Sequence, residues 1–110
     1  MLLVGTGQNK RSNKLQKMVI GVCRISLFIP GSQSLKDKRR AVKSLKQKLR
    51  NEFNLSAAEV DDGDLWQRAT LGLAVVANDG QFADQVLAKA VDFIRQQRDV
   101  ELIDYQTEIR

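Results

Sequence analysis

At 110 residues the chain holds one domain's worth of sequence, and 43 % apolar residues suffice for a single core. One cysteine excludes an internal disulfide. The lack of any histidine excludes His-based triads, an imidazole general base and most structural zinc sites. No stretch approaches the ~20 apolar residues of a membrane span, and a formal charge of +5 points to an acidic partner.

That charge is unevenly placed. Residues 1–17 carry Lys10, Arg11, Lys14 and Lys17 with no acid, and residues 36–50 carry +7, which leaves the remainder of the chain at −6. The leader has only Leu2-Leu3-Val4 as an apolar run, and its basic residues follow that run, so it does not read as a signal peptide. It reads as a flexible basic extension, 1–17, to a single domain at 18–110.

From Met18 to Ile29 the residues alternate as in a strand, with Val19, Cys23, Ile25, Leu27 and Ile29 on one side and Arg24, Ser26 and Phe28 on the other. Pro30-Gly31 ends it. Ser34 is an expected N-cap, with Asp37 three residues on, and Leu35, Val42, Leu45, Leu49 and Phe53 predict a helix over about 35–53. Asn54 is expected to close that helix in the left-handed conformation. A short strand at 55–60 leads to the turn Asp61-Asp62-Gly63-Asp64, and a longer strand covers 69–77. Asn78 or Asp79 caps a second helix, whose inner side is expected to hold Phe82, Val86, Ala90, Phe93, Ile94 and Gln97. Residues 100–109 read as a last strand.

The order β-α-β-β-α-β predicts an α+β, ferredoxin-like sandwich: a four-stranded antiparallel sheet with two helices on one face. The other face is then uncovered. Val22, Phe28 and Val76 on it are candidate interface residues for a homodimer or a small ligand. Trp66, the only tryptophan, is a further candidate anchor.

On the first helix, steps of 100° place Lys36, Arg39, Arg40, Lys43, Lys46 and Arg50 within an arc of roughly 120°, with Lys38 and Lys48 flanking it. Ordinary solvated faces mix signs, but this one sets like charges three and four residues apart. Six such pairs cost about 1–3 kcal/mol in all unless an anion compensates. The compensator is either an external polyanion or the chain's own acids at Glu59, Asp61, Asp62 and Asp64. The six residues are therefore candidate nucleic-acid contacts, to RNA or a ribosome, through phosphate rather than base stacking on the sheet. With six phosphates neutralised on structured RNA, the log–log salt slope is expected at roughly −4 to −5.

Other constellations carry less. The acidic turn lacks EF-hand spacing, so no metal is expected. Cys23 alternates with core positions and reads as a buried thiol. The loop Pro30-Gly31-Ser32-Gln33-Ser34 lacks the arginine that acyl phosphate hydrolysis uses on this fold. No enzymatic activity, cofactor or membrane association is expected.

The blocks Val19 to Arg24, Ile29 to Arg40, Ala58 to Asp61, Asp64 to Gly72 and Val100 to Tyr105 resemble the bacterial YlxP-like family of unknown function over about 18–110. The resemblance implies a ferredoxin-like sandwich in a bacterial cytoplasm, and it brings no catalytic residue. Family members are often encoded beside translation genes, which by association favours an RNA or ribosome partner. Ala57 departs from the family pattern, where a bulkier valine-like residue is expected.

Overall fold

The alternating run after Met18 forms β1, Val19–Phe28, in a computed structural model that describes residues 17–110. The expected N-terminal extension lies outside the described residues, Lys17 apart. After the Pro30-Gly31 turn, α1 runs over Leu35–Glu52, and the Ser34 hydroxyl accepts from the Asp37 amide at 3.0 Å. Asp37 reaches back to accept from the Gln33 amide at 3.0 Å, one residue ahead of the usual capping-box partner. β2 (Ser56–Asp61), β3 (Arg68–Ala77), α2 (Gly80–Arg95) and β4 (Glu101–Ile109) follow. Asp79 rather than Asn78 caps α2, accepting from the Gln81 amide.

The sheet order is β2-β3-β1-β4, with antiparallel neighbours throughout. β1 and β3 pair over their whole length, from Val19↔Ala77 to Phe28↔Arg68, without a slip. The two edge strands each carry an irregularity, next to Val60 in β2 and Ile103 in β4. Both helices lie on one face, α1 against β2 and β3, and α2 against β1, β3 and β4. Between sheet and helices sits one core, in which Ile25, Leu27, Leu71, Leu49, Leu87 and Ile94 are fully buried. The fold is the α+β sandwich that the element order implies.

Three local expectations fail for physical reasons. The inner side of α2 is Ala83, Leu87, Ala90, Val91 and Ile94, while Phe82 is 54 % exposed. The helix is turned because its alanines allow a close approach to the sheet. A Cβ on Gly21 would meet the Ala83 Cβ at 3.1 Å and the Leu87 Cδ1 at 3.0 Å, a gap too narrow for Phe82. Asn54 is not left-handed; α1 ends instead at Phe53 in extended conformation, with its amide on the Leu49 carbonyl. The Phe53 ring meets Phe93 edge-on at 5.8 Å, so packing sets the exit direction. Lys38, expected beside the cationic arc, is 1 % exposed.

Candidate nucleic-acid interface

α1 divides its bases into two populations. Along the helix, Leu35, Lys38, Val42, Leu45 and Leu49 recur at spacings of three and four, so Lys38 occupies a core position. At 100° per residue it falls between Leu35 and Leu45, inside the apolar arc. Its ammonium is fully matched there: Nζ donates to Glu59 Oε2 at 3.0 Å, to the Asp62 carbonyl at 2.7 Å and to the Gly63 carbonyl at 3.0 Å. A buried lysine of this kind costs several kcal/mol to desolvate, and only a full set of acceptors offsets that. The 3-4 spacing was a readable signal for this, and an acid on the adjacent strand was the partner to seek.

Two other acids of the 59–64 segment, Asp61 and Asp62, are also engaged. Asp61 pairs with Arg24 at 3.1 Å across the open sheet face, and Asp62 Oδ2 accepts from the Thr70 hydroxyl at 2.8 Å. Asp62 adopts a left-handed φ of 65°, which points its carbonyl towards Lys38 while its carboxylate holds Thr70. That contact explains why Thr70, on the uncovered face of the sheet, is nonetheless buried. The segment is a structural knot rather than a counter-ion store for the rest of α1.

Lys36, Arg39, Arg40 and Lys43 are exposed, and Lys46 is half-buried. Among the described residues, the cations within ion-pair distance of a carboxylate are Arg24, Lys38, Arg95 and Arg110; none of these five is. Arg50 differs from its neighbours in the arc, since Nη2 donates to the Ala57 carbonyl at 2.6 Å. That bond places the ridge along the flank of α1 nearest β2, and Ala57, the one buried residue of that strand, leaves its carbonyl to a helix side chain. Lys48, on the opposite flank, reaches Gln97 at 3.5 Å.

The interface candidates separate into two groups. Val22 pairs with Ala74 and Ile20 with Val76, so Val22 and Val76 are diagonal neighbours at one end of the open face. Phe28 pairs with Arg68 at the other end, roughly 20 Å away along the strand. Between them lies a shallow depression of about 500 Å³ floored by Ala58, Gly72 and Ala74. Val60 lies over Gly72, where a Cβ would meet its Cγ1 at 3.1 Å. Trp66 is not part of the sheet face; it stands in the loop between β2 and β3.

Cys23 is buried in the core, and burial pushes its thiol pKa up, only partly opposed by the Thr107 hydroxyl donating to Sγ at 3.6 Å. That is the environment of a packing thiol, not of an activated nucleophile.

Residues 20–107 match the model of a protein family described as "Protein of unknown function (DUF503)". The chain belongs to that family. It is also 30 % identical over 90 residues to the "Uncharacterized protein YlxP" of Bacillus subtilis (strain 168), covering 82 % of this chain and 98 % of that one. The DUF503 match spans both helices, β2 and β3 in full and most of β1 and β4, so the Lys38 knot and the exposed ridge both lie within the matched residues. No helix among the described residues is long and apolar enough to cross a membrane.

Proposed function

We propose that this DUF503 domain is a non-catalytic module that binds the phosphate backbone of RNA, free or in a ribosome, through the exposed ridge of α1. One observation carries the reading: Lys36, Arg39, Arg40 and Lys43 project from one flank with no carboxylate in ion-pair reach among the described residues, while Glu59, Asp61 and Asp62 are committed to Lys38, Arg24 and Thr70. Like charges at three- and four-residue spacing repel one another by about 0.2–0.5 kcal/mol per pair, and phosphates relieve that repulsion. Arg50, already bound to a backbone carbonyl, contributes field more than contact. With four to five cations engaged, the log–log salt slope on single-stranded RNA is about −3.

Filter binding over a salt series tests the reading. The triple variant Arg39→Glu, Arg40→Glu, Lys43→Glu is expected to lose RNA binding with its oligomeric state unchanged; retained affinity, or a flat salt response in the parent protein, overturns it.

A second reading has its own support. Val76 is 65 % exposed on a sheet face that no helix of the described residues covers, and Val60 and Ile20 are exposed on the same molecule, which favours a second copy packing sheet against sheet. In that case Val76→Glu or Phe28→Glu changes the mass read by light scattering, and the parent protein binds no RNA.

A further inference from the structure

Between β2 and β3, residues 62–67 form a loop that is tied down at both ends. At its start, Lys38 Nζ holds the Asp62 and Gly63 carbonyls, and the Leu65 amide donates back to the Asp62 carbonyl at 3.2 Å. At its end, the Gln67 side-chain amide donates to the Pro30 carbonyl at 3.3 Å and the Ser32 carbonyl at 3.1 Å, and the Ile29 amide donates to the Gln67 carbonyl at 2.8 Å. A loop held by both α1 and the segment leading into α1 is fixed relative to that helix. Yet two of the three residues between the ties are large, apolar and outward: Leu65 is 47 % and Trp66 56 % exposed.

A large exposed indole on a tied backbone is unfavourable for a turn that serves only to join two strands. It is well suited to a surface that must accept a flat partner without ordering costs at the moment of binding. Its position narrows the partner. The ridge runs along the flank of α1 nearest β2, as the Arg50–Ala57 bond fixes, and Lys38 ties the end of β2 and the start of this loop to the N-terminal half of the helix. Lys36, Arg39 and Arg40 occupy that half. The loop and the ridge thus share the N-terminal half of α1, and a partner that is anionic along its backbone and flat in its side groups satisfies both.

We infer that Trp66 is a base-stacking platform for single-stranded RNA whose phosphates lie on Lys36, Arg39, Arg40 and Lys43. The inference rests on the phosphate-binding reading above and adds the strandedness of the RNA. Base–aromatic stacking tolerates any base, because every base has a π-face, so the preference is for unpaired strands rather than for a sequence. It differs from sheet-type recognition, in which aromatics on the central strands stack bases; here the aromatic comes from a loop. Neither acid of that loop is ion-paired among the described residues, but Asp62 is held by the Thr70 hydroxyl, which leaves Asp64 as the acid that limits rather than assists the contact.

Trp66 is the only tryptophan in the chain, so intrinsic fluorescence reports this residue alone. The full chain is titrated with a short oligouridylate and with a perfectly paired RNA hairpin, following Trp66 emission and the anisotropy of labelled RNA. Saturable quenching by the oligouridylate is expected, with little by the hairpin. Trp66→Ala is expected to weaken oligouridylate binding about tenfold without changing the salt slope or hairpin affinity, and Trp66→Phe to restore most of it. RNA binding with unchanged emission and an unaffected Trp66→Ala variant overturns the inference while leaving the phosphate-binding reading standing. No binding of either RNA overturns both. A change of solution mass in Trp66→Ala also overturns it, since the residue then anchors a protein contact.

Discussion

Lys36 and Lys38 are two residues apart on one helix and meet opposite environments. Lys38 is sealed beneath the β2–β3 turn and fully matched by a carboxylate and two carbonyls, whereas Lys36 stands in solvent with Arg39, Arg40 and Lys43. Two steps of 100° turn a side chain almost to the far side of a helix. The comparison teaches that a basic run is not one feature. Part of it belongs to the architecture, and only the remainder is available to a partner.

The sharpest break in that comparison is Lys38→Met, which keeps the volume and removes the donor. It leaves Glu59 and two carbonyls without their shared ammonium, and urea unfolding is expected to show a loss of about 3–5 kcal/mol. Adding Glu59→Leu should recover a large part, because replacing a whole buried pair is far less costly than halving it. A loss below about 1 kcal/mol for the single variant contradicts the structural role given to Lys38. Next in size is Ser34→Ala, which strips the α1 cap and should cost about 1 kcal/mol by the same measurement.

The exposed side should behave in the opposite sense. Arg40→Gln with Lys43→Gln is expected to leave stability unchanged or raise it by up to about 1 kcal/mol at low salt, while weakening RNA binding. The gain should vanish at high salt, where repulsion in the parent is already screened. If the double variant is instead destabilised, the ridge has an internal partner and the division within α1 falls.

The smallest effect concerns a buried group of another kind. The Cys23 thiol has its pKa raised by burial, so the folded state keeps its proton longer than the unfolded state. Its contribution is fully present below the ordinary thiol range and is lost as pH rises through that range towards the folded-state pKa. Urea midpoints measured from neutral pH upward should therefore fall more steeply in the parent than in Cys23→Ala, the difference between the two slopes isolating the thiol from other groups.

Element order, the two strand faces, the Ser34 cap and a second cap at Asn78 or Asp79 were legible because each depends on residues close in sequence. What misled was every feature decided by a neighbour across the core. The α2 stripe containing Phe82 is periodic enough to look internal, and only the close approach of Ala83 and Leu87 to Gly21 rejects it. The end of α1 was assigned to Asn54 by propensity, while the contact of Phe53 with Phe93 set it. Of the candidate RNA contacts, the arc itself was readable from the helical period, but the engagement of Arg50 with the β2 backbone was not. Val22, Phe28 and Val76 were correctly placed on the uncovered face, yet their separation into two ends follows from the strand register.

By itself the sequence determined the α+β order of the elements and where positive charge gathers along them, since local periodicity and capping are short-range properties written in adjacent residues. Tertiary structure decided which of the charges are spoken for. The four acids of 59–64 match only half of the eight bases of 36–50, and the fold brings Glu59 to Lys38, Asp61 to Arg24 and Asp62 to the Thr70 hydroxyl, over sequence separations that no pattern of spacing encodes.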